Sequence, residues 1–137
     1  MEVRAVVYRS LWCDAREGMQ IWCLCVEFFR YLELTMSFKN VEVKKKANVY
    51  HDGKVTSRTI ISPTGEMKTL GVMLPGTYRF STQAPERIDV TQGHCRVKLA
   101  NEQSWRDYQA GESFNIPGNS HFEIEVSDLL DYVCHFG

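Results

Sequence analysis

Lys54-Val55-Thr56-Ser57-Arg58-Thr59-Ile60-Ile61, then Ser62-Pro63-Thr64-Gly65, then Lys68-Thr69-Leu70-Gly71-Val72-Met73-Leu74 is the stretch that decides the fold class. Two runs rich in β-branched and apolar residues flank a segment whose Ser, Pro, Thr and Gly favour a turn. The same punctuation continues downstream. Pro75-Gly76 opens a further run over Thr77–Ser81, and Gln92-Gly93 divides Arg87–Thr91 from Cys95–Leu99. Trp105–Tyr108, Ser113–Ile116, His121–Val126 and Asp131–Phe136 follow, broken by Ala110-Gly111 and by Pro117-Gly118-Asn119. Eight or more short strands at roughly 8–12 residue spacing predict an all-β sandwich or barrel. No helical pattern longer than two turns interrupts them, and no internal repeat appears.

Upstream of Met36 the chain changes character. Residues 1–35 carry Trp12, Trp22, three cysteines and clustered aromatics, with no Pro and one Gly. Met36-Ser37-Phe38-Lys39-Asn40 itself reads like the opening of a protein. Two readings stand: residues 1–35 are an upstream extension from a mis-assigned start, or Glu17–Leu34 forms a real helix packed by Ile21, Leu24, Phe28 and Leu32. Residues 36–137 are the expected domain.

Composition excludes classes rather than naming one. With 137 residues, 44% hydrophobic and 24% charged, the chain can build one core. Sixteen Lys+Arg against seventeen Asp+Glu leave a net charge of -1, which gives no electrostatic footprint for nucleic acid or an anionic membrane. No stretch approaches the ~20 apolar residues of a membrane span. Asp14, Arg16 and Glu17 interrupt the place where the apolar segment of a secretory signal would run. The five cysteines, Cys13, Cys23, Cys25, Cys95 and Cys134, include no Cys-x-x-Cys pair and read as reduced thiols of a cytoplasmic protein.

Alternation along the strands sorts inward from outward side chains. Ile88 and Val90 mark the apolar face of their strand, and one step back Glu86 shares it. Tyr78, Phe80 and Thr82 form one face of the next strand upstream, leaving Arg79 outward. Phe122, Ile124 and Val126 leave His121 beside two glutamates, and Tyr132, Cys134 and Phe136 alternate against Asp131, Val133 and His135. The inward polar set is therefore Tyr78, Thr82, Glu86 and Tyr132. A carboxylate pointing into a small barrel is expensive unless paired, so Glu86 is a site candidate by default; the bland alternative is a half-exposed residue capping amides beside Pro85.

These residues also resemble a family. Gly111-x5-Pro117-Gly118-Asn119-Ser120-His121 is similar to the second conserved motif of cupins, and Glu86-x6-Gly93 to the end of the first. Where metal-binding cupins carry the two histidines of the first motif, this chain has Phe80 and Thr82, or Arg79 and Ser81. Glu125 stands in place of the usual Asn, and His121 points outward. The expectation is that no metal is bound. His51, His94, His121 and His135 likewise show no ligand spacing.

A fuller resemblance is to the small metal-free cupins called pyrimidine/purine nucleoside phosphorylases. Its marks are Tyr50-His51-Asp52-Gly53-Lys54-Val55-Thr56-Ser57, then Leu70 through Phe80, Thr82-Gln83-Ala84-Pro85-Glu86, Trp105, Gly111 through Pro117, Asn119-Ser120-His121-Phe122 and Tyr132-Val133-Cys134. The resemblance implies a single cupin-type (jelly-roll) antiparallel β-barrel over residues 36–137, with a poorly integrated extension before it. It implies phosphorolysis of purine and pyrimidine nucleosides to free base and pentose 1-phosphate, with phosphate as co-substrate, no cofactor and a homodimeric assembly. On that reading Glu86 accepts hydrogen bonds from ribose hydroxyls and stabilises positive charge on the sugar. Tyr78 and Tyr132 stack on the base, Thr82 contributes an inward hydroxyl, and amides around Gly118, Asn119 and Ser120 form an anion concavity. Arg79 or Arg58 supplies charge. A non-catalytic cupin binding a small sugar or nucleotide-like ligand is the competing reading, and a metal-dependent isomerase or dioxygenase is a third.

Overall fold

The computed structural model describes residues 36–137. The proposed helix over Glu17–Leu34 lies outside the described residues. The strands are β1 (Glu42–Val43), β2 (Asn48–Tyr50), β3 (Val55–Ile61), β4 (Met67–Met73), β5 (Gly76–Thr82), β6 (Glu86–Gln92), β7 (His94–Leu99), β8 (Arg106–Gln109), β9 (Ser113–Ile116), β10 (Ser120–Val126) and β11 (Leu130–Phe136). A single 3-10 turn, His51–Gly53, joins β2 to β3. Among the described residues no helix is long and apolar enough to cross a membrane.

All pairings are antiparallel. One sheet runs β1-β3-β4-β11-β6-β9, with β2 sharing the outer edge of β3; the other runs β5-β10-β7-β8. Every strand predicted from alternation is present, with ends shifted by a residue or so. β1, β2 and the 3-10 turn were not expected, because two or three residues carry too little pattern to register.

The inner faces meet in a core that alternation defines. Ile88, Val90, Val97, Ile124, Val126 and Leu130 are buried on it, each worth about 1.5–3 kcal/mol against exposure. Phe122 anchors an aromatic cluster, with ring centroids 5.5 Å from Phe80 and 6.3 Å from Phe114. Gly93 makes the β6–β7 hairpin possible: its φ is +93°, and a Cβ there would sit 2.2 Å from the Leu129 carbonyl oxygen. Outward positions are charged and paired, as with Arg96–Glu125 (2.7 Å) and Lys98–Glu123 (2.9 Å) on the four-stranded sheet.

Candidate active site

The two sheets enclose a partly open cavity of about 150 Å3. The larger sheet contributes Tyr50, Ser57, Thr69, Met73, Glu86, Ile88, Tyr132, Cys134 and Phe136, and the smaller Phe80, Ser81 and Phe122. Register explains how the polar groups meet. Ser57, Gly71 and Tyr132 lie in one row across β3, β4 and β11, and Thr59, Thr69 and Cys134 lie in the next. Phe136 is paired with Glu86. Because Gly71 has no side chain, the Tyr132 ring lies across it and its hydroxyl reaches Ser57; a Cβ on Gly71 would be 2.5 Å from the phenolic oxygen. Asn48 holds the far end of this row, its Nδ2 donating to Ser57 Oγ (3.2 Å) and Thr59 Oγ1 (3.3 Å).

Glu86 opens β6 directly after Pro85 and is half-buried. The Cys134 thiol donates to Glu86 Oε2 across 3.6 Å, and Thr69 hydrogen-bonds Cys134 in turn. Burial raises the Glu86 carboxyl above the ordinary carboxylate range, and the thiol contact partly opposes that rise. Cys134 is pushed up to about 12, first by burial and then by the Glu86 charge, so it stays an S–H donor. Burial above all, with Cys134 and Tyr50 adding to it, also holds the Tyr132 phenol well above its usual range. The result is one carboxylate facing a row of protonated, neutral groups. Among the described residues, no Lys, Arg or His lines the cavity.

Of the residues singled out from sequence, Glu86 and Tyr132 meet here. The others do not. Tyr78 is buried with its hydroxyl donating to Leu74 O at 2.7 Å, which makes it core rather than cavity wall. Thr82 is also buried: its Oγ1 donates to Pro117 O (2.6 Å) and accepts from the Ser120 amide (3.3 Å). The Asn119 amide donates to Gln83 O at 3.0 Å. Around the anion concavity expected at Gly118, Asn119 and Ser120, the Asn119 and Ser120 amides bind the chain itself. Arg79 is exposed on the outer face opposite Glu123, and Arg58 is exposed with its guanidinium on Lys45 O; neither lines the cavity. Sequence reasoning missed Ser57, Thr69, Tyr50 and the role of Cys134. Alternation placed Cys134 with Tyr132, and extended to β3 and β4 it selects Ser57 and Thr69.

The histidines are dispersed. His94 meets Asp107 (3.0 Å), His135 meets Asp89 (2.7 Å), and His51 packs on Tyr78 and Phe80.

Comparison with known proteins decides the family. Residues 45–136 match the family model described as pyrimidine/purine nucleoside phosphorylase. The chain belongs to that family. A pyrimidine/purine nucleoside phosphorylase of Methylococcus capsulatus is 59% identical over 100 residues, covering 73% of this chain and 97% of the relative. One of Burkholderia vietnamiensis is 58% identical over 99 residues, covering 72% of this chain and 93% of the relative. Among solved structures, an Acinetobacter protein of unknown function superposes with a TM-score of 0.72 at 46% identity, covering 74% of this chain and 98% of its own. An RmlC-like cupin from Shewanella frigidimarina, at 16% identity and TM-score 0.54 over 73% of this chain and 86% of that one, shares the fold. The family and the cupin-type architecture read from the motifs are both borne out. For a pyrimidine/purine nucleoside phosphorylase family member, the cavity around Glu86 is the natural place to look for chemistry.

Proposed function

We propose that this protein is a nucleoside phosphorylase acting on purine and pyrimidine nucleosides, with the cavity between the sheets as its active site. Phosphate attacks the anomeric carbon, the C–N bond to the base breaks with its electron pair leaving on the base, and pentose 1-phosphate forms. The observation that carries this reading is Glu86: a half-buried carboxylate without a cationic partner among the described residues, aimed into a cavity whose polar lining includes hydroxyl groups. It is suited to accept hydrogen bonds from ribose hydroxyls and to stabilise an oxocarbenium-like sugar. Family membership and the relatives' names support the same activity.

The cavity's size fits the reading in a particular way. At about 150 Å3 it is smaller than the roughly 300–1,000 Å3 of common ligand pockets, so it seats a pentose ring with the base toward the open mouth. From Tyr132 to Phe136 the floor strand spans about 13 Å, the scale of a nucleoside. Ser57, Thr69, Ser81 and Tyr132 offer neutral donors for the sugar and phosphate oxygens. Orientation would supply much of the acceleration. Phosphate is itself the nucleophile, so the chemistry calls for no cofactor.

The cation-free lining favours one competing reading, a non-catalytic binder of a neutral sugar or nucleoside. Incubating the protein with inosine, uridine, adenosine and cytidine, with and without phosphate, separates the two. Phosphate-dependent release of free base and pentose 1-phosphate is expected; saturable binding with every nucleoside left intact would establish the binder instead.

A further inference from the structure

The rim of the cavity carries a device that the reading above leaves unused. β2 ends at Tyr50, and the next three residues, His51, Asp52 and Gly53, have φ of 50°, 56° and 86°. Left-handed backbone is unfavourable for His and Asp and persists only where the surroundings hold it. Here they do. The Lys54 amide donates to His51 O (3.2 Å), the Leu74 amide to Lys54 O (2.8 Å), and the His51 ring wedges against Tyr78 and Phe80 with both centroids at 5.0 Å.

Immediately before this turn stands an aromatic ring that the core does not bury. Tyr50 lines the cavity and meets Phe80 edge-on, with centroids 6.1 Å apart and planes at 84°, yet it is 47% exposed. Tyr78 and Tyr132 are buried, whereas Tyr50 lines the same cavity as Tyr132 and keeps much of its ring in water. A ring left half in water at a cavity mouth, next to a left-handed turn, is placed to offer a face to a flat ligand. We propose that Tyr50 stacks on the nucleobase and sets the preference between purines and pyrimidines, with the His51–Gly53 turn holding its ring in place. This rests on the nucleoside reading of the same cavity. Stacking tolerates any base because each has a π face, and a purine overlaps the ring over more area than a pyrimidine.

The test measures kcat and KM of the full chain for inosine and uridine at saturating phosphate. Tyr50→Ala is expected to raise KM for inosine roughly tenfold or more, to raise it less for uridine, and to change kcat less than KM. Tyr50→Phe, which keeps the ring face, is expected to recover most of the loss. Val49→Ala, 60% exposed and alternating away from the cavity, controls for damage to β2. Equal KM changes for the two nucleosides, or no change in either, would overturn the proposal. Should the wild-type protein cleave neither nucleoside, phosphorolysis itself fails, and hypoxanthine binding measured by calorimetry takes over as the test. Roughly tenfold weaker binding by Tyr50→Ala would support the stacking role; equal or undetectable binding would overturn it.

Discussion

Two residues carry most of the site's character, one by the charge it brings and the other by the side chain it lacks. Among the described residues Glu86 contributes the only carboxylate to the cavity lining, and its neighbours there include a thiol and hydroxyls. Glu86→Gln keeps the shape and removes the charge, so phosphorolysis is expected to fall by about 100-fold or more in a steady-state assay, the scale seen when one preorganised electrostatic group is lost. Stability should move the other way. Burial raises the folded-state pKa, so this group's contribution is fully present below its unfolded pKa and is lost as pH rises through the folded value. The Gln variant is therefore expected to melt above wild type near neutral pH and level with it below about pH 4. A variant that melts lower at neutral pH would show that the carboxylate stabilises the fold. Gly71 works by omission: a Cβ there would be 2.5 Å from the Tyr132 ring. Gly71→Ala is expected to destabilise by about 1–3 kcal/mol in urea unfolding and to raise the nucleoside KM as the phenol is pushed toward the cavity.

At the scale of elements, the β6–β7 hairpin offers a sharper test. Gly93 combines φ of +93° with a would-be Cβ only 2.2 Å from the Leu129 carbonyl oxygen, which is backbone and cannot swing aside. Gly93→Ala is expected to destabilise by about 2 kcal/mol or more; thermal unfolding within a degree of wild type would mean the hairpin relaxes freely. Strands of this kind were legible because alternation is a long-range signal: Ile88 and Val90, or Phe122, Ile124 and Val126, place a whole face from a few residues. The site was only partly legible for the same reason. Alternation tells inside from outside, but Tyr78 and Tyr132 are both inside, and only the pairing of Tyr132 with Gly71 puts one of them in the cavity wall. In the Pro117-Gly118-Asn119-Ser120 turn, the Asn119 and Ser120 amides are accepted by Gln83 and Thr82, distant in sequence. Spacing does not encode such partners. β2 and its left-handed turn were too short to announce themselves, although Tyr50 sits at the cavity mouth.

Among the described residues, paired charges lie on the outer faces and the two cysteines lie inside. Arg96 and Lys98 pair with Glu125 and Glu123 and pass over Trp105 at 5.6 and 5.0 Å, a half-buried array on the outer face of that sheet. Cys95 and Cys134 are buried, and burial first of all pushes their thiols up to about 11 and about 12. Both are expected to resist iodoacetamide at about pH 8 in the native protein and to react fully in denaturant, as read by peptide mass spectrometry. Rapid native alkylation of Cys134 would reveal frequent opening of the cavity.

On the proposed reading, the absence of a cation among the described lining residues has a consequence for how phosphate arrives. An inorganic anion entering a chamber whose sole ionised group among the described residues is already negative makes that group harder to keep ionised, so occupancy and proton capture become linked. Phosphate is then expected to bring a proton with it from solution. Titration calorimetry in two buffers of different ionisation enthalpy reads this directly, and heats that agree between the buffers would place the anion beyond the reach of Glu86.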